Sequence, residues 1–256
     1  MVCRPARFLA AALTATALLT TAACSDDDAD ADTSAIGATP LAADSPSAAP
    51  RLTEAKARQA LITEGDLEDD WTRVKDAATW RDSLLIGKVD VADFLTAKAN
   101  AADCQKLLDG LYSDELLGEP SGASALTGFE EQESRLLYQV ASYRRASLDA
   151  SLSWLKSLPV KCDQFTATDS AGDRRTVQVT ESSVPDEGDA RQGLHVTVQG
   201  TSSGTPATLT LDVAAVRVGS DAITVTAGGL DGDEDDSVED AVKKGTQRLK
   251  DALAQS

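Results

Sequence analysis

The apolar residues of this 256-residue chain change period part-way along, and that switch limits the folds open to it. Up to about residue 162 they recur every three or four positions: Cys104, Leu107, Leu108 and Leu111 form one helical stripe, and Leu148, Leu152 and Leu155 form another. From Arg175 onward they alternate with polar residues, as Val177 and Val179, then Leu194, Val196 and Val198, then Leu209, Leu211 and Val213. Successive side chains of a strand point to opposite faces, so this alternation predicts half-buried antiparallel strands. The phase shifts at Ala214-Ala215, ahead of Val216 and Val218, which predicts a β-bulge. Gly219-Ser220-Asp221 then predicts a hairpin turn into Ile223 and Val225. A closing helix is expected from near Ser237, packing through Val238, Val242, Gly245, Leu249 and Leu253.

The first half fills in around the two stripes. Thr53 is placed to cap a short helix reaching about Ile62, which Gly65-Asp66 ends before Leu67 and Trp71. Asn100 is a good N-cap for the helix that carries Cys104 on its buried side. Residues 123–143 read as two strands around a polar turn at 130–134, with Tyr138 and Val140 on one face and Leu137 and Tyr143 on the other. The second stripe ends at Pro159, just ahead of Cys162. Helices at both ends with a run of strands between them predict a single α+β domain, a twisted antiparallel sheet flanked by helices.

Arg4 and Arg7 precede an uncharged run from Phe8 to Ala23, which has the pattern of a secretory leader. That run is shorter than the roughly 20 apolar residues a spanning helix needs. It ends Thr20-Thr21-Ala22-Ala23-Cys24, which resembles a bacterial lipobox and makes Cys24 the expected site of lipidation; a plain cleavage site with a free cysteine is the alternative. With Cys3 in the leader and Cys24 acylated, Cys104 and Cys162 remain as an even pair in an oxidising compartment, and a disulfide between them is expected. Residues 1–23 thus read as a lipoprotein signal peptide, 24–50 as a disordered acidic Ala/Ser/Pro tether, and 51–256 as the folded domain.

The net charge of −18 excludes whole classes of partner. Phosphate backbones are held by Lys and Arg, so no nucleic acid is expected. Anionic membrane surfaces are repelled too, so any membrane attachment must come from the acyl chains on Cys24. Residues 51–256 keep 22 basic against 36 acidic residues, a net −14, so the acidity belongs to the domain and not only to the tether.

Candidate chemistry is sparse. Ser153 and Lys156 match S-x-x-K without its companion motifs. Asp231 to Asp236 open like a calcium loop but place Asp236 and Val242 where Gly and Glu belong. His195, the only histidine, lacks a second His or a free Cys to complete a metal site and reads as a rim residue, so no metal and no cofactor are expected. Tyr138, Tyr143, Arg144 and Arg217 are the candidate ligand-binding set, aromatic and cationic groups that could line a pocket on a sheet face; core packing and surface ion pairing are the alternative.

The opening helix followed by Leu67 and Trp71, then Cys104, the strand ending at Tyr143, the helix leading into Cys162 and Phe165, the turn Val216-Arg217-Val218-Gly219 and the closing helix together resemble the extracellular sensor domain of actinobacterial PknH-type kinases, a domain that also occurs in lipoproteins. The resemblance covers about residues 51–255. It implies a twisted antiparallel sheet flanked by helices, with a cleft for an unidentified ligand. That family typically has two disulfides, whereas this domain has cysteines for one, and no kinase domain accompanies it. The expectation is a non-catalytic, lipid-anchored sensor or ligand-binding lipoprotein on the extracytoplasmic face of the cell membrane, whose partner is an unidentified small ligand or envelope protein. A carrier of lipids or glycolipids is the alternative, and it requires a large aliphatic cavity.

Overall fold

Nine strands join edge to edge in one fully antiparallel sheet: β1 (Thr72–Val74), β2 (Val89–Val91), β3 (Ser124–Glu131), β4 (Ser134–Ser142), β5 (Gln164–Asp169), β6 (Arg174–Ser182), β7 (Ala190–Ser202), β8 (Thr205–Val218) and β9 (Asp221–Gly229). Their order across the sheet is β1-β3-β4-β9-β8-β7-β6-β5-β2. The computed structural model describes residues 51–67, 71–81, 89–91, 98–169, 172–202, 205–230 and 234–255, all within one compact unit, Ala48–Ser256. The leader and tether expected over residues 1–50 lie outside the described residues. β5 to β9 form a meander in which each strand pairs with the next, and β9 returns to lie against β4. Both edges end in three-residue strands, β1 and β2, which leaves little length for pairing with another chain.

Helices cover both faces. α2 (Lys98–Gly110) and α3 (Arg145–Lys161) pack on one side, where Leu107, Leu111, Leu148, Leu155 and Leu158 meet Val177, Val196, Leu211 and Val213. α1 (Glu54–Gln59) and α4 (Asp235–Ala254) pack on the other, where Ala57, Val242 and Leu249 meet Tyr138, Val216, Ile223 and Val225. Full burial of each leucine in these layers contributes about 1.5–3 kcal/mol, so the two apolar layers dominate the stability. The α+β class and the antiparallel sheet flanked by helices agree with the sequence expectation. So does the disulfide: Cys104 of α2 is bonded to Cys162 at the end of α3, with Cα atoms 5.7 Å apart.

Four local expectations are corrected. β8 has no bulge, because its register with β7 and β9 runs unbroken through Ala214 and Ala215. The phase shift arises because the strand is covered on both sides there: Leu211, Val213 and Ala215 face α2 and α3, while Ala214 and Val216 face α1 and α4. Asn100 is not a cap, since α2 begins two residues earlier at Lys98, and the alanines around Asn100 favour extending the helix. Pro159 lies inside α3 rather than ending it. The missing N–H of Pro159 forfeits one bond to Leu155, and Cys162 N–H closes the last turn on Leu158 O at 2.7 Å. α4 likewise starts at Asp235, so Ser237 sits in its first turn. The cap expected at Thr53 is present, its Oγ1 accepting from Lys56 N at 3.3 Å.

Candidate functional site

The sheet register decides where the chain's polar side chains meet. On β7, Leu194 and Val196 face α3, which turns His195 to the other face; on β8, Leu211 and Val213 do the same for Asp212. His195 and Asp212 are direct cross-strand partners, and His195 Nδ1 lies 2.7 Å from Asp212 Oδ1. The face they share is roofed by the start of α4. Trp71 Nε1 donates to Ser237 Oγ at 3.1 Å and Ser237 Oγ donates to Glu234 Oε2 at 3.3 Å, which pins that first turn over the sheet. Asp235 thereby joins the pair, and donor atoms of His195, Asp212 and Asp235 all fall within 4.8 Å of one another.

Asp212 is the unusual member. Its side chain is only 2% exposed against 28% for His195; its carboxyl meets that of Asp235, and its enclosed Oδ2 has no hydrogen-bond donor among the described residues. Burial is the largest influence on its acidity and pushes it up to about 6; Asp235 adds to the rise, while the hydrogen bond and charge of His195 oppose it. Beside the cluster opens a cleft of about 240 Å³ lined by Ser182, Ser183, Asp212, Asp235, Asp236 and Glu239. A histidine and two carboxylates in that arrangement are able to hold a proton or a metal cation. Asp231 to Asp233, the start of the calcium-loop-like run, lie outside the described residues.

The four candidate ligand-binding residues do not converge. Tyr138 is completely buried on the α4 side, its hydroxyl donating to Ala60 O at 3.3 Å. Tyr143 and Arg217 lie on the α3 side, at the end of the sheet where α3 begins. The Tyr143 hydroxyl is enclosed and meets no partner among the described residues, and burial raises its pKa well above the ordinary tyrosine value. The Arg217 guanidinium is held between Asp149 (3.3 Å) and Asp189 (3.6 Å). Arg144 is exposed at the N-cap position of α3 and lines a shallow recess of about 200 Å³ with Glu119, Ser121 and Ser147. Three of the four thus share one end of the molecule, and Tyr138 stands on the opposite face.

Two larger clefts are described. One, about 440 Å³, is lined by Lys156, Glu181, Ser182, Arg191 and Gln192, and the other, about 470 Å³, by Arg81, Gln105, Lys106, Asp109 and Glu115. Both linings are charged. Ser153, the serine of S-x-x-K, donates its hydroxyl back to Asp149 O at 2.8 Å. No described helix is long and apolar enough to cross a membrane.

Sequence reasoning singled out His195 but missed Asp212 and Asp235 as its neighbours. The signal that was available is the facing pair of polar phases, His195 in one strand and Asp212 in the next, which a hairpin register would place opposite each other. Nothing in the sequence said that α4 would cover them.

No protein-family model matches the chain, and no curated protein matches it in sequence. Among solved structures it is similar to the extracellular domain of PknH from Mycobacterium tuberculosis, with a TM-score of 0.48 and 12% identity over 78% of this chain and 97% of that one. It is also similar to a putative uncharacterized protein of Mycobacterium smegmatis, an Rv0999 ortholog, with a TM-score of 0.38 and 18% identity over 81% of this chain and 98% of that one.

Proposed function

We propose that this chain is a lipid-anchored domain on the extracytoplasmic face of the cell membrane, where it binds a small ligand or an envelope protein and carries out no chemistry on it. The observation that carries the reading is the Cys104–Cys162 disulfide. Disulfides persist in oxidising compartments, which supports export. Of the four cysteines it leaves only Cys3, inside the leader, and Cys24, at the end of the lipobox-like segment, which supports Cys24 as the anchor. Two acyl chains there give stable attachment where one gives only marginal binding, and they outweigh the repulsion of an acidic surface.

The non-catalytic part of the reading rests on what the polar side chains already do. The Ser153 hydroxyl is engaged with its own helix, and Ser182, in the cleft beside His195, turns its hydroxyl to Ser183 O at 3.4 Å. The lipid-carrier alternative gains no support from the two larger described clefts, since Lys156, Glu181 and Arg191 enter one lining and Arg81, Lys106, Asp109 and Glu115 the other, where a carrier needs a large aliphatic cavity.

Native mass spectrometry of the full chain, taken from its own cell envelope in detergent, tests the anchor, the staple and any ligand together. The expected product begins at Cys24, carries the mass of a diacylglyceryl group and is two hydrogens lighter than the reduced chain. A chain without acyl mass that stays in the soluble fraction would overturn the anchoring. A second, non-covalent lipid-sized adduct would replace binding of a polar ligand with the carrier reading.

A further inference from the structure

We propose that His195, Asp212 and Asp235 form a binding site for a first-row divalent metal ion, for which zinc is the probe. A group of carboxylates on an acidic surface says nothing by itself. What distinguishes this one is Asp212, a residue of the cleft lining whose side chain is only 2% exposed and whose enclosed Oδ2 has no hydrogen-bond donor among the described residues. A buried carboxylate oxygen without a donor is costly, and the neighbouring side chain is a second carboxylate, Asp235, rather than a cation. Among the described residues lining the cleft there is no lysine or arginine to neutralise the pair, and Asp236 and Glu239 add two further carboxylates.

The donor set selects the class of ion. One imidazole nitrogen and two carboxylate oxygens suit borderline ions such as zinc, while calcium and magnesium take all-oxygen shells with more ligands. Three protein ligands beside an open cleft leave coordination positions for water or for an exogenous ligand, as in open zinc sites. The scaffold is rigid where it needs to be. His195 and Asp212 are fixed opposite each other by the β7–β8 ladder, and Asp235 is held by a helix turn that Trp71 and Glu234 secure through Ser237. A bound ion would therefore tie the first turn of α4 to the centre of the sheet. This holds whether or not Cys24 is acylated.

Because His195 is the only histidine, a single imidazole signal reports the site in the whole protein. The experiment uses the full chain in detergent, produced without a histidine tag and stripped with EDTA. Zinc chloride is added while the ¹⁵N resonances of the His195 ring and the thermal midpoint are followed. The expected result is a saturable ring-nitrogen shift at one equivalent together with a higher midpoint. Asp235→Asn, on an exposed helix turn, should weaken zinc binding by about tenfold or more. His195→Gln should abolish the rise in midpoint. An imidazole signal indifferent to zinc, or zinc affinity unchanged in Asp235→Asn, would mean only adventitious binding by surface carboxylates and would overturn the site. A ring signal that responds to acid but never to zinc would overturn it as well, and would assign the cluster to proton sharing instead.

Discussion

A single carboxylate at Asp103 joins the two helices that the disulfide also joins. It accepts from Lys161 Nζ at 2.8 Å and from Trp154 Nε1 at 3.0 Å, while Lys106 sits 4.0 Å above the Trp154 ring. The Lys161 hydrogen bond is the largest influence and holds the carboxyl below its ordinary 3.8; burial opposes it, and the charges of Lys161 and Lys106 and the Trp154 bond reinforce it. A group whose folded value is lowered adds stability above its unfolded value and loses it as pH falls through the folded one. Asp103→Asn should therefore lower the unfolding free energy measured in urea near pH 7, by less than about 1 kcal/mol for so exposed a pair, and the gap should close as pH drops below 3.8. A gap that stays constant into acid would show that the contact acts by packing and not by charge. His195 shows why such polar contacts were hard to foresee from sequence. Its place on the polar phase of an alternating strand was legible, but that phase means solvent only if nothing covers the face, and the cover comes from α4, some 40 residues later in the chain.

The elements themselves were legible wherever one face was apolar and the other wet. α4 is the clearest case, since Val238, Val242, Gly245 and Leu249 are all buried as their spacing requires. β8 misled for the opposite reason: apolar residues on two sheltered faces produce two overlapping phases, which sequence periodicity alone cannot tell from a bulge. At Gly245 the helix lies close against the sheet. A Cβ there would lie 2.6 Å from Tyr138 Cε2 and 2.8 Å from Cζ, and the Tyr138 ring is fixed by burial and by its bond to Ala60 O. Helix propensity alone favours Gly245→Ala by about 1 kcal/mol. Overpacking a rigid core costs about 1–3 kcal/mol, so the steric effect wins and the variant should unfold at lower temperature. The loss should shrink in a Tyr138→Leu background, a coupling that a double-mutant cycle reads directly. Equal effects of the glycine change in both backgrounds would show that α4 shifts away from the sheet instead of pressing on Tyr138.

Across the whole molecule, the Cys104–Cys162 bond closes a 58-residue loop that contains β3, β4 and α3 and leaves the β5 to β9 meander outside it. The loop-entropy model assigns such a closure about 4 kcal/mol, an upper figure because structure retained in the unfolded chain reduces it. That is a large share of the roughly 5–15 kcal/mol that separates folded from unfolded domains, and the pairing itself was readable from the cysteine count. The geometry adds where the loss should fall. Each of β6 to β9 is hydrogen-bonded to two neighbours, whereas α2 is held by α3, the three-residue edge strand β2 and the apolar layer beneath it. The double variant Cys104→Ala/Cys162→Ala should therefore stay folded but lose about 2–4 kcal/mol of stability. Hydrogen exchange should rise first across α2 and the end of α3, while β7, β8 and β9 keep their protection. If protection fell evenly over all nine strands, the two helical layers and the sheet would be a single cooperative unit, and the disulfide would stabilise the domain as a whole instead of fastening α2 to it.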